Sequence, residues 1–266
     1  MRLRTFEAFF LLKNGLLYTY PMLRRSIDTE IVVVGAGITG ALISNAMIDA
    51  GYKTILIDKL DIGLGSTSAT TAMLQYEVDV PLYKLSKMIG EEQAAMCYKA
   101  GVEALHDLEE LVKKCPIDCE FESKRSLYFA HNAEAKTKLE KEYLIREKHG
   151  LGVTWLDAAA VDDLYGIKSE GGILSETAAS VDAYRLAHEL IHFNTQRGLE
   201  VYDQTTIEGI DYKDSGVTVK IVGDNTIRAK KIIFCTGFES VNMLKEKTAK
   251  LFYTWACISE ERIAVK

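Results

Sequence analysis

The pattern of apolar and polar positions is most regular between Ile31 and Asp58. Ile31-Val32-Val33-Val34 is an unbroken apolar run, as expected of a strand covered on both faces in a parallel sheet. It passes into Gly35-Ala36-Gly37-Ile38-Thr39-Gly40 and a helical stretch to about Ala50, which Gly51 stops. Thr54-Ile55-Leu56-Ile57-Asp58 reads as a second strand, so the segment is a complete β-α-β unit. Beyond Pro81, Ala95, Val102, Leu105, Leu108, Leu111 and Val112 recur at roughly helical spacing before Cys115-Pro116 ends the run, which predicts one helix of about 30 residues. Ser126-Leu127-Tyr128-Phe129-Ala130 predicts a strand, and residues 133–148 a charged, mostly exposed helix. Asp182 can cap a helix that ends at Gly198. Glu200-Val201-Tyr202 then starts a β run. Ile207 to Tyr212, Val217 to Val222 and Thr226 to Ala229 form a meander, with turns at Asp214-Ser215-Gly216 and Gly223-Asp224-Asn225. Ile232-Ile233-Phe234-Cys235 is a further buried-strand pattern closed by Thr236-Gly237, and no repeat or low-complexity tract is present.

Composition narrows the class. With 266 residues, 48% hydrophobic and 26% charged, the chain can bury the core of one α/β domain or of two joined ones, which excludes disordered, collagen-like and disulfide-stapled classes. The net charge of −6 gives its surface no pull toward nucleic acid or anionic lipid. Five cysteines without a tight framework suit reduced thiols, so a cytoplasmic location is expected. The apolar run Ala8-Phe9-Phe10-Leu11-Leu12 is short and bounded by Glu7, Lys13 and Asn14, and no segment approaches the ~18 apolar residues of a spanning helix. Stable membrane insertion is therefore not expected.

The glycine-rich turn supplies the first chemistry. In strand–GxGxxG–helix–strand order, Gly35 permits a tight turn, Gly37 lets backbone approach a diphosphate, and Gly40 lets helix and strand pack closely. The helix N-terminus offers N–H groups and a partial positive charge to that anion. Asp58, 23 positions after Gly35, stands where a carboxylate accepts hydrogen bonds from ribose hydroxyls. A carboxylate there disfavours a 2′-phosphate, so NADP fits worst, while FAD and NAD both remain open.

Several separated blocks, running from about residue 28 to the C-terminus, resemble the FAD-dependent D-amino-acid oxidase and glycine oxidase family. Beside the β-α-β unit, Gly63-Leu64-Gly65-Ser66-Thr67-Ser68-Ala69-Thr70-Thr71-Ala72 is similar to that family's small-residue segment beneath the flavin. Gly171-Gly172-Ile173-Leu174 to Val181-Asp182 leads into the following helix, Ile207 matches the apolar residue whose backbone meets adenine, and Phe234-Cys235-Thr236-Gly237-Phe238 is similar to the Ala-Thr-Gly turn closing the flavoprotein sheet. The resemblance implies FAD as cofactor and an α/β fold in which a Rossmann-like FAD-binding sheet is interleaved with a β-rich substrate domain. The implied cofactor-binding set is Gly35, Ala36, Gly37, Ile38, Thr39, Gly40, Asp58, Lys59, Ser66, Thr67, Ser68, Thr70, Thr71, Ala72, Ile207, Cys235, Thr236 and Gly237. The implied domains are an arm (1–27), a discontinuous FAD-binding domain (28–80 and 165–240) and a substrate or cap domain (81–164 and 241–266). The implied reaction oxidises the carbon–nitrogen bond of an amino acid or amine, a small-molecule substrate, by hydride transfer to flavin N5, with oxygen or another acceptor taking the electrons; it identifies no catalytic base.

The family pattern continues beyond a point about 30 residues after Gly237 where this sequence stops, with Leu251 to Glu260 resembling a strand re-entering the substrate domain. The expectation is a truncated chain that holds FAD weakly or not at all unless another chain completes it, with an open sheet edge able to self-associate. A catalytically dead remnant is the alternative. One competing motif is His188-Glu189-Leu190-Ile191-His192, a formal HExxH that in zinc peptidases supplies two ligands and a base. At 100° per residue, Leu186, Leu190 and Phe193 share the core face, which sends His188 and His192 toward solvent and argues against a metal. Cys115 and Cys119 lack a second pair for zinc.

Overall fold

The computed structural model describes residues 8–242; the expected strand Leu251–Glu260 lies outside them. In chain order, the elements are α1 (Phe9–Asn14), β1 (Ile27–Val34), α2 (Ile38–Asp49), β2 (Thr54–Ile57), a 3-10 turn (Ser66–Ala69), β3 (Met73–Gln75), α3 (Leu82–Ile89) and α4 (Glu91–Lys114). There follow β4 (Glu122–Phe129), α5 (Ala133–Lys148), β5 (Val153–Leu156), α6 (Ala158–Tyr165), β6 (Gly172–Ser180), α7 (Ala183–Thr195), β7 (Glu200–Tyr202), β8 (Ile207–Lys213), β9 (Gly216–Ile221), β10 (Asn225–Phe234) and a 3-10 turn (Gly237–Asn242).

The chain forms two compact units. The first runs up to Thr71, takes in Cys115–Cys119, and resumes from Asp182. Its six-stranded sheet has the order β7-β2-β1-β10-β9-β8. β7, β2, β1 and β10 are parallel to one another, while β9 and β8 run antiparallel as a meander. One sheet face buries Val32, Val34, Ile55, Ile57, Val219 and Ile227 with Leu23 of the N-terminal arm. α2 packs on β1, β2 and α7.

The third meander strand and the final buried strand, expected separately at 226–229 and 232–235, are one continuous strand, β10. Lys230 and Lys231 are exposed, and with no turn-forming residue between Ala229 and Ile232 nothing breaks the run. Its first half pairs with β9 and nearly its whole length with β1.

The second unit comprises Ala72–Lys114 and Glu120–Val181. β6 is the centre of its antiparallel sheet: β4 lies along one side, and β3 and β5 pair with opposite ends of the other. The single helix expected after Pro81 is two helices, because Gly90 adopts φ +94° and its N–H bonds the Ser86 carbonyl, closing α3 before α4 begins. α5 spans the predicted residues, yet is not merely a solvated surface helix: Glu142 and Arg146 on it are buried. Arg146 pairs with Glu142 and Glu77, both at 2.7 Å, and lies over the rings of Tyr76 and Tyr98. Glu142 accepts the first backbone N–H groups of α3, from Leu82 and Tyr83.

Candidate functional site

At the C-terminal ends of the parallel strands, β1 has β2 on one side and β10 on the other, with chain connections leaving in opposite directions. Such a switch point opens a crevice where α/β sheets take ligands. The Gly35–Gly40 turn stands at that point, between β1 and α2. Gly35, at φ +104°, lies so close to β10 that a Cβ would stand 2.4 Å from the Cys235 carbonyl oxygen. A Cβ on Gly40 would be 1.8 Å from the Gly35 carbonyl oxygen, and one on Gly37 2.9 Å from Thr67 Oγ1. Each of the three positions is thus closed to a side chain by a neighbour already in place.

Hydrogen bonds lash four segments around this turn. Gly35 N–H donates to Ile57 on β2, Cys235 N–H to Val34 on β1, and Gly63 N–H to Ala36. Thr67 Oγ1 accepts from Ile38 N–H at 3.0 Å, at the first turn of a helix whose own N-cap, Gly37, has no side chain to offer. The Thr67 hydroxyl keeps its proton for a further acceptor. Gly237, φ +55°, faces Ser66, whose Oγ lies 4.0 Å from the place a Cβ would take, and Thr236 Oγ1 lies 3.1 Å from Ser240 Oγ.

Asp58 follows β2. Its Oδ2 accepts from Ala36 N–H at 2.7 Å and its Oδ1 from Leu60 N–H at 2.9 Å. Burial pushes this carboxyl above the ordinary aspartate range, with those two N–H groups and Lys59 pulling it back. Two donors leave lone pairs on both oxygens free for hydroxyl groups. Lys59 is exposed and pairs with Glu239 at 2.6 Å. The Asp58 backbone also bonds Tyr202 and Thr205, which brings the start of β8, with Ile207, alongside the Asp58 segment.

The structure thus gathers Gly35, Ala36, Gly37, Ile38, Gly40, Asp58, Lys59, Ser66, Thr67, Cys235, Thr236 and Gly237 around one crevice. Thr39 is exposed on the first turn of α2, buried Ser68 bonds the Gly65 carbonyl, and Thr70 and Thr71 are exposed where the chain leaves the 3-10 turn. Ala72 belongs to the second unit, where its carbonyl accepts Val181 N–H. Ile207 is half-buried against the sheet core. The donor set fits a dinucleotide: a side-chain-free turn, a helix N-terminus, a hydroxyl beside it and a carboxylate at the next strand tip.

The HExxH residues sit differently from the expectation. His188 is fully buried rather than solvent-facing, with Nε2 3.0 Å from the Ile62 carbonyl oxygen. The single-stripe reading fails because α7 is packed on several sides, by α2, α1 and the Ser66–Ala69 turn. His192 is half-buried and stacks on Tyr18 of the arm at 4.2 Å, and Glu189 accepts from the Tyr18 hydroxyl. Among the described residues, no group of three or more His, Cys, Asp or Glu side chains could hold a metal, and no helix is long and apolar enough to cross a membrane.

The chain is 22% identical over 221 residues to YhfW of Bacillus subtilis (strain 168), whose name describes a Rieske 2Fe-2S iron-sulfur protein, covering 83% of this chain and 42% of that one. It is 22% identical over 211 residues to gamma-glutamylputrescine oxidoreductase of Escherichia coli (strain K12), covering 79% and 49%. It superposes on the crystal structure of glycine oxidase from Geobacillus kaustophilus with a TM-score of 0.65 at 22% identity, covering 80% and 56%. The chain spans about half the length of the curated relatives it matches. The family described as FAD dependent oxidoreductase matches residues 30–254, and the chain therefore belongs to that FAD-binding family.

Proposed function

We propose that this chain holds FAD in the crevice around Gly35–Gly40 and serves the oxidation of the carbon–nitrogen bond of an amino acid or amine. In this reading the first unit is the cofactor-binding part and the second contributes to the substrate side. When bound, FAD would supply a two-electron acceptor for that oxidation. The chain's own residues do the rest. The Gly37–Gly40 turn and the α2 N-terminus present N–H groups to the diphosphate, and the Thr67 hydroxyl, already accepting from Ile38, turns its proton toward it. Asp58, pinned by Ala36 and Leu60, presents its remaining lone pairs to the ribose hydroxyls. Ser66, Thr70 and Thr71, with Cys235, Thr236 and Gly237 just after β10, offer hydroxyls and backbone to the ring system, while Ser68 shapes the turn through the Gly65 carbonyl. No side chain is assigned as catalytic base.

The observation that carries this reading is the bonding of Asp58 to the N–H inside the glycine turn, which ties the ribose-reading carboxylate and the diphosphate cradle into one unit. The amine or amino-acid substrate class is supported by relatives named glycine oxidase and gamma-glutamylputrescine oxidoreductase. Titration of the purified chain with FAD, followed by flavin fluorescence, should show saturable binding. Gly37→Val should weaken it at least about a hundredfold, since the new side chain displaces the Thr67 hydroxyl and enters the diphosphate space. Unaltered affinity in that variant would remove the crevice from consideration. With FAD bound, a panel of amino acids and amines should bleach the visible flavin band anaerobically.

A further inference from the structure

His188 is the one member of the HExxH sequence that nothing above uses, and its surroundings are specific. Its Nε2 lies 3.0 Å from the Ile62 carbonyl oxygen. A carbonyl only accepts, so Nε2 carries the proton and Nδ1 is a bare lone pair; Nδ1 is buried with no partner. The ring packs on Tyr184 at 4.5 Å between centroids, and Gly63, φ +72°, is pressed so closely on Tyr184 that a Cβ would lie 2.9 Å from that ring. An imidazole is a costly way to fill an apolar space, because one nitrogen stays unsatisfied. What it gains over leucine is the single bond to Ile62.

That bond has an address. Ile62 lies in the 60–65 loop between β2 and the Ser66–Ala69 turn. One residue on, Gly63 N–H donates to the Ala36 carbonyl in the glycine turn, and the Gly63 carbonyl accepts Ser68 N–H, fixing the turn that presents Thr67. The loop is therefore held at three places: at Leu60 and Asp61 by Gln204, at Gly63 by Ala36, and at Ile62 by His188 on α7.

We propose that His188 is a positioning residue for the cofactor cradle, fixing through the Ile62 carbonyl the loop that sets Gly63 against Ala36 and Thr67 against Ile38. This rests on the FAD reading above for its consequence, but its structural half stands without it. Removal of the Nε2 donor loosens the loop at Ile62, next to the Gly63 bonds to Ala36 and Ser68, and with it the place of the Thr67 hydroxyl at the α2 N-terminus.

The test uses the full chain in three variants. His188→Leu keeps the apolar fill and deletes the donor; His188→Gln restores an N–H at similar reach; Leu190→Ala removes packing from the same helix without touching Ile62. Amide hydrogen exchange on the FAD-free proteins should accelerate at least tenfold at Gly63 and Ser68 in His188→Leu, return most of the way in His188→Gln, and hold near the parent value in Leu190→Ala. FAD affinity, by fluorescence titration, should fall about tenfold in His188→Leu, an effect typical of one buried hydrogen bond, and recover in His188→Gln. Exchange at Gly63 and Ser68 unaltered in His188→Leu, or accelerated equally in Leu190→Ala, would overturn the proposal. So would unaltered FAD affinity in His188→Leu alongside normal binding by the parent. If the parent binds no FAD, the cofactor reading fails while the exchange data still decide whether His188 fixes the loop; should His188→Leu not fold, His188→Gln against Leu190→Ala decides it, parent-like exchange in both supporting the proposal and acceleration in His188→Gln overturning it.

Discussion

Protonating His188 would place a charge where no acceptor waits. Burial lowers its pKa from 6.5 to about 4, against the small opposing pulls of the Ile62 carbonyl and the Asp61 carboxylate. The other groups near the ring are the Tyr184 and Tyr18 phenols and Glu189, the last bonded to Tyr18. Because the folded value lies below the unfolded one, the unfolded chain takes up the proton first on acidification. The contribution is whole above pH 6.5 and is lost as the pH falls toward 4, a full swing on the order of 3 kcal/mol. Urea unfolding of the parent between about pH 7.5 and 4.5 should show that decline, and His188→Leu should show a shallower one. Equal slopes in both proteins would place the titrating group elsewhere. Asp58 behaves in the opposite sense: its raised pKa means the folded state gives up some stability as the pH climbs and the carboxylate charges, a tension that bound hydroxyl donors would relieve.

Among the elements, α5 shows how a sequence pattern misleads. Its run of Lys, Glu and Arg reads as a solvated face, yet Glu142 and Arg146 are one helical turn apart and face inward as a pair. Periodicity of apolar residues cannot report a buried charge that brings its own partner. Arg146→Ala should destabilise the chain by about 3–5 kcal/mol, because Glu142 is left buried without its counter-ion, whereas the Glu142→Gln/Arg146→Met double variant, which keeps an acceptor for the Leu82 and Tyr83 N–H groups, should cost clearly less. Chemical denaturation of the three proteins checks this. The β-α-β unit, by contrast, is readable residue by residue, since an unbroken apolar run, three spaced glycines and a terminal acid each have one local physical use; Ile31 through Val34 fall inside β1 and Asp58 directly follows β2. The break between α3 and α4 is hidden because a glycine inside a helical pattern is normally just weak, and only its φ of +94° makes Gly90 a stop. The burial of His188 escapes the pattern because a helical wheel assumes one buried face, and α7 has neighbours on several.

For the molecule as a whole, the crevice is assembled from segments that are far apart in sequence: the turn at 35–40, the loop at 58–68 and the residues 235–237 that follow β10. A ligand that joins them should raise global stability by mass action. At a free FAD concentration about a hundredfold above its dissociation constant, the gain is about 2.7 kcal/mol, visible as a concentration-dependent rise in the thermal midpoint that Gly37→Val lacks. A midpoint indifferent to FAD in the parent would separate the fold from the cofactor.

The pairing of β1 with β10 has a consequence for the nascent chain. Asp28 and Arg228, bonded across that pair, are 200 positions apart, and β10 alone joins the parallel strands to the meander. While the intervening residues are being synthesised, β1 and β2 must wait on or near the ribosome with one valine-rich flank bare. Such distant pairing folds slowly and leaves a sticky strand open to other chains, so the yield of this protein should depend on translation speed and chaperone supply more than its final stability suggests.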